Sequence, residues 1–306
     1  MHAILKYRMT TILLAIGFQL TAQDFELLKI ESAYYPKEAI TESLVNGEVG
    51  FWEWGGQLAV PQVFKNDKTV LIHKLGYINL RVDMAGSFAN TPVEDTKHYH
   101  SIIYNLGWVQ KLNAKWQTLI SLSPTLASDF AQPLNANDLL FQANATVMKT
   151  LSEKFQYGFG MAYTTRFGRQ LAIPVGMLKY NTPRMELDLI LPTKLSLMIN
   201  TRKPVNVGLV AALNGGLFNN SGDFQPVNNF IDEAGYTRLA VGPVLAFATK
   251  DALRFYVSSG LAVGRRLDFI DTSEQIIDRT PENGLFFKMG LAFGPSEEMR
   301  KPRQQP

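Results

Sequence analysis

Two pairs of side chains have spacings that chemistry can use. Glu186 and Asp188 stand two residues apart. In a strand that puts both on one face, roughly 7 Å apart, where two carboxylates can exchange protons or hold Ca²⁺. His98 and His100 flank Tyr99 and share a face in the same way, as two imidazoles of a divalent-metal site would. Neither pair has the groups that would complete it. No third ligand stands near the histidines, and no nucleophile elbow, phosphate loop or zinc-protease motif occurs in the sequence. The chain has no cysteine, which excludes disulfides, thiolate nucleophiles and Cys-ligated metals. No catalytic residue, metal or cofactor is therefore expected, and the protein is not expected to be an enzyme.

The elements that must position these residues announce themselves by alternation. Over 155–166, Phe155, Tyr157, Phe159, Met161 and Tyr163 alternate with Gln156, Gly158, Gly160, Ala162, Thr164 and Arg166. A strand separates these sets into a large apolar face and a small polar one, whereas a helix would mix them. The same pattern holds over 116–126, 139–148, 185–191, 239–247 and 285–293. Over 69–83 the frame changes near Tyr77, which suggests a bulge. About 14 strands are expected, with about 12 as the alternative, and an even number is what bacterial barrels use. Their spans are 25–35, 48–63, 69–83, 98–112, 115–127, 139–150, 155–166, 170–180, 185–192, 194–201, 204–217, 236–248, 253–266 and 284–293.

The connections sort into two classes. Tight ones fall at 65–68, 113–114, 152–154, 181–184, 202–203 and 250–251. Long ones fall at 36–47, 85–97, 128–138, 218–235 and 268–283, with two short exceptions after the seventh and ninth strands. Membrane barrels have short periplasmic turns and longer extracellular loops.

Composition decides between lipid and water. Of the 306 residues 46% are hydrophobic and only 19% charged, at a mean hydropathy of −0.03. That average is too low for transmembrane helices and suits strands with one greasy face. The second face is rich in Gly, Ala, Ser, Thr, Asn and Gln, and charge concentrates in turns, so the dense surface charge of a soluble barrel is missing. The expected fold is an all-β, closed antiparallel transmembrane β-barrel. Tyr34, Tyr35, Trp52, Trp54, Tyr99, Trp116, Phe155, Tyr163, Tyr180, Tyr236 and Phe293 are candidates for its interfacial girdles.

The N-terminus carries Lys6 and Arg8, then an apolar stretch at 10–20 and a small residue, Ala22, before Gln23. This is the secretory signal pattern, and the apolar stretch is short for a bilayer span. Expected units are a signal peptide at 1–22, the barrel at 23–294 and a polar tail at 295–306. Processing removes Lys6 and Arg8 and brings the net charge from +3 to +1, so the sequence pI near 8.9 gives no reason to expect nucleic acid.

By alternation Glu53, Arg166, Glu186, Asp188, Arg238, Arg254 and Lys288 face the lumen. Charges of both signs there can build a constriction or a binding site, or an ion-pair network that fills the barrel.

Three segments carry a resemblance: Trp54-Gly55-Gly56-Gln57-Leu58-Ala59-Val60-Pro61, Leu171-Ala172-Ile173-Pro174-Val175-Gly176-Met177-Leu178-Lys179-Tyr180, and Leu189-Ile190-Leu191-Pro192. With the Ala22-Gln23 junction, the chain resembles a Bacteroidota outer-membrane β-barrel family with a domain of unknown function. The resemblance implies the barrel and no catalytic residues. The last strand ends at Phe293, ahead of the tail, unlike barrels that end on a terminal aromatic. The expected location is the outer membrane of a Gram-negative bacterium. Outer-membrane lipid, the barrel assembly machinery and a small-solute ligand are the expected partners. The expected role is a channel or porin-like transporter, the alternative a structural or surface-binding barrel that uses its long loops.

Overall fold

In hydrocarbon an unpaired backbone N–H or C=O costs several kcal/mol, so a sheet that spans a membrane must close on itself. The computed structural model of the chain describes residues 26–40, 47–66, 68–88, 91–201, 204–220, 231–249 and 253–294. The expected signal peptide and the expected tail lie outside these residues. The strands are β1 (Leu28–Ala39), β2 (Gly47–Val63), β3 (Thr69–Phe88), β4 (Thr91–Lys111), β5 (Trp116–Ser128), β6 (Leu139–Ser152), β7 (Phe155–Thr164), β8 (Leu171–Asn181), β9 (Met185–Leu191), β10 (Lys194–Ile199), β11 (Val205–Asn219), β12 (Ile231–Ala248), β13 (Leu253–Asp271), β14 (Ile276–Asp278) and β15 (Gly284–Phe293). They form a closed 14-strand antiparallel barrel. Each strand pairs with the next from β1 to β13, and β15 joins β13 to β1. The short β14 runs along the end of β13.

Two storeys of opposite polarity make up the wall. In the lower storey, on the side of the tight turns, the large apolar residues face out. On β15, Leu285, Phe287, Met289, Leu291 and Phe293 are exposed while Phe286 and Ala292 are buried. Eight residue steps cover about 27 Å of strand, or about 21 Å of membrane at a tilt near 40°, close to the apolar band of known barrels. In the upper storey the polarity inverts. Arg81 pairs with Asp83 and Arg266 with Asp268 on the outer face. Tyr35, Val49, Phe51, Val82, Tyr99 and Phe269 are at most 1% exposed inside.

This inversion corrects several expectations. No bulge occurs in β3, whose register runs unbroken from Val63↔Val70 to Gly47↔Gly86 on one side and along β4 on the other. The frame change is one of polarity. Leu71, Leu75 and Tyr77 face lipid on odd positions, and Leu80 and Val82 enter the upper core on even ones. Tyr35, Tyr99 and Tyr236 are core residues rather than girdle residues. Strands also run further on the loop side than expected: β3 reaches Phe88, β4 starts at Thr91, β12 at Ile231, and β13 reaches Asp271. Charges that read as loop are at home on a strand whose outer face meets water.

One true bulge matters. Lumen-facing positions of β13 are even up to Ala262, yet Leu267 and Phe269 enter the core on odd ones. The register between β12 and β13 shifts at Thr237/Leu239, and opposite this shift Gly264 has φ +57°. Glycine adopts that conformation without steric cost, and the extra residue flips every later side chain to the other face.

Candidate functional site

The upper core is where the lumen closes. A barrel of about eight strands is just narrow enough for side chains to fill, whereas larger ones leave space. This barrel narrows because β6 to β10 stop short and β11 leans across to β5. Asn219 forms a parallel bridge with Ser128, and the Asp129 N–H donates to the Asn219 carbonyl at 3.1 Å. Above that seam β1–β5, β11–β13 and the start of β15 surround a packed interior. Phe51 and Tyr236 meet with ring centroids 4.4 Å apart, and Tyr99 meets Phe218 at 5.3 Å.

At the floor of this core lie two residues expected in the lumen. Arg238 on β12 is 2% exposed and pairs with Glu53 on β2. Its guanidinium lies 4.1 Å over the ring of Tyr35 and 5.1 Å over that of Tyr236. Among the described residues its Nε and Nη1 have no hydrogen-bond partner, so the carboxylate and the aromatic faces supply what compensates the charge. Arg265, turned inward by the bulge, donates from Nη2 to the Val49 carbonyl at 3.3 Å and lies 5.1 Å over Phe51. Alternation along β13 alone does not reveal Arg265 as inward, because it does not cross the bulge.

The seam is held by one buried carboxylate. Asp138 accepts from Asn219 Nδ2 at 2.7 Å and from the Asn135 N–H at 2.8 Å. Tyr99 donates to Asn220 Oδ1 at 3.3 Å. Burial alone would raise the Asp138 pKa, but the hydrogen bonds from Asn135 and Asn219 outweigh it and hold the group below the ordinary 3.8. A lowered native pKa means that the stabilisation is full above the unfolded value and is lost as pH falls through the native one. Asp138→Ala is expected to destabilise the loop end by about 1–3 kcal/mol. Hydrogen exchange at the tips of β5 and β11 should accelerate. Acidification well below the ordinary 3.8, through the lowered native value, should have the same effect in the parent chain, while Asp138→Asn loses that pH dependence.

Below the core the lumen is wet and charged. Glu31 Oε2 takes Lys29 Nζ and Lys288 Nζ, both at 2.9 Å, and the Tyr256 hydroxyl at 2.8 Å. Arg254 reaches Glu26 at 3.3 Å. The side chains of Lys29, Glu31 and Lys288 are 24–34% exposed, so water reaches them. Arg166, in the connection after β7, is close enough to Glu31 and Lys29 to interact with both. Thr237 fixes its backbone by donating to the Arg166 carbonyl at 2.7 Å. That connection fits because Gly168 has φ +72° and a Cβ at Gly235 would sit 2.3 Å from its carbonyl oxygen.

The other sequence-predicted residues stand apart from this cluster. On the β8–β10 wall, Asp188 pairs with Lys194 at 2.7 Å and faces Lys179 across the β8–β9 ladder. Glu186 lies next to it by register, opposite Asn181. His98 and His100 lie on the outer face of β4. His100 Nδ1 is 2.7 Å from the Tyr77 hydroxyl, and the ring stacks on Phe130. Among the described residues no three His, Cys, Asp or Glu side chains gather as a metal site would require. Lys29, Glu31 and Lys74 join the cluster beyond the expected residues, and strict alternation on β1 and β3 puts all three on the lumen face.

A family model described as Domain of unknown function (DUF6268) matches residues 90–294. The match takes in the segments at 171–180 and 189–192, and leaves β1 to β3, with Trp54–Pro61, outside it. No curated protein matches. Solved structures with a loose likeness include a NanC porin, at 10% identity and TM-score 0.37 over 87% of this chain and 98% of that one. Another is the translocator domain of autotransporter NalP from Neisseria meningitidis, at 12% and 0.32 over 95% of each chain. A third is LpxR from Salmonella typhimurium, at 9% and 0.31 over 87% and 99%. Likenesses this loose carry no argument about function.

Proposed function

The chain belongs to the family described as Domain of unknown function (DUF6268), and from its geometry we propose an outer-membrane barrel that is sealed at rest. Its lumen opens toward the turn side as a vestibule for a small solute, and we assign no catalytic step to it. In a Gram-negative cell, of the Bacteroidota type that its motifs resemble, the turn side faces the periplasm. The observation that carries this reading is the packed upper core, in which Arg238, Tyr35, Tyr99, Phe51 and Phe269 are each less than 2% or about 2% exposed. An unobstructed diffusion pore leaves no such plug in its path. Transport, on this reading, requires the upper core to yield.

The upper storey also supports the surface-binding alternative. Its charged outer face stands above the lipid band and offers rigid strand ends to a partner.

Planar-bilayer recording of the refolded protein tests the sealed state. The expected result is a quiet membrane at moderate voltage, with insertion verified by heat-modifiable mobility of the same preparation. A steady ohmic conductance from the unaltered chain would overturn it.

A further inference from the structure

We infer that the vestibule beneath the upper core binds a small polyanion, a solute carrying two or more carboxylate or phosphate charges. This rests on the sealed-barrel reading for the side from which the solute arrives, not for the binding itself. The observation is a surplus of positive charge over negative in this space among the described residues. One carboxylate, Glu31, serves both Lys29 and Lys288, and Glu26 faces Arg254. Lys74 and Arg166 reach the same space with no ion pair or hydrogen bond from their side chains among the described residues. Both interact with this cluster only at longer range, Lys74 with Glu26 and Lys29, and Arg166 with Glu31.

The surplus is local. On the β8–β10 wall Asp188 already answers Lys194, so the excess lies on β1, β3, β13, β15 and the connection after β7. The wall there also leaves room at Gly76, which stands on its lumen face by register with no atom nearer than 3.8 Å to where a Cβ would lie. Cations that line a hydrated recess with low-dielectric walls focus their field and concentrate counter-ions. Rings of Arg and Lys select anions in pores for the same reason. A planar guanidinium at Arg166 suits a carboxylate or phosphate edge, and Lys74 adds a mobile point charge. A structural network would have matched its signs, as the β9–β10 pair does.

The test is calorimetric titration of the refolded barrel in an uncharged detergent at low salt, with citrate as the probe and spermidine as the cationic control. Citrate is expected to bind and spermidine not to. Arg166→Gln and Lys74→Gln should each weaken citrate at least about tenfold, and the double variant more than either. Lys194→Gln, on the balanced wall, should leave the affinity unchanged. Absence of citrate binding to the parent barrel would overturn the inference. So would undiminished binding by the double variant, or an equal loss in Lys194→Gln. Bilayer recording of the same preparation separates the two readings. A steady current overturns the seal and leaves the citrate result standing, and a silent barrel that ignores citrate overturns the inference alone.

Discussion

Arg238→Ala is expected to turn a quiet barrel into a conducting one. The substitution removes the cation that spans from β12 to Glu53 on β2 and the group that covers the faces of Tyr35 and Tyr236. It leaves the Glu53 carboxylate, 20% exposed at the floor of the core, without its partner, and breaking a largely buried pair in this way costs up to about 3–5 kcal/mol. Water entering to hydrate that carboxylate follows the route an ion would need. Two readouts are expected to move together: channel events in planar bilayers, and a lower denaturant midpoint. Glu53→Gln combined with Arg238→Met removes both charges and keeps the volume, so it should recover most of the stability and stay quiet. Conduction by the paired variant as strong as by Arg238→Ala would mean that packing, not charge, holds the seal.

The second large effect tests which side of the wall meets lipid. Met289 lies near the middle of the outward row on β15 and is 57% exposed. Met289→Arg is expected to destabilise the barrel in bilayers by about 2–4 kcal/mol, the cost of a cation on the lipid face near the midplane. Arg81→Met, on the outer face of the upper storey, removes a partly exposed ion pair with Asp83 and should change stability by less than about 1 kcal/mol. Urea unfolding from lipid vesicles, followed by gel mobility, checks both. Equal effects at the two sites would contradict the inversion of polarity between storeys.

Much of the lower storey is legible from residue order. The rows at 155–164 and 285–293 give strand, face and lipid exposure together, because every outward position is large and apolar while the inward ones, Phe286 apart, are small or polar. The upper storey defeats the same rule for two reasons. On β3 the apolar residues pass from Leu75 and Tyr77 to Leu80 and Val82 with no change in the backbone, and polarity alone cannot distinguish this from a bulge. On β13 the backbone does change, at Gly264, and nothing in the surrounding pattern marks that glycine among the others. Of the candidate site, Glu53, Arg238, Arg254 and Lys288 follow from parity. Their partners depend on strands that are distant in sequence. The pairing of β12 with β2 across the lumen, and the sharing of Glu31 by β1 and β15, come from closure of the ring, which no local window contains.

The seam between Ser128 and Asn219 also sets an order of events. Hairpins such as β6–β7 and β9–β10 form from near neighbours, whereas the contact between β5 and β11 must wait until every strand between them has been laid down. Entropy opposes such distant meetings most, and they come late when a chain self-assembles. The lower wall can therefore be complete while its outer end still gapes, and the seal becomes the final act of maturation. A newly inserted molecule would pass through a leaky adolescence, and pulse-labelling of amides should find the tips of β5 and β11 the last to gain protection.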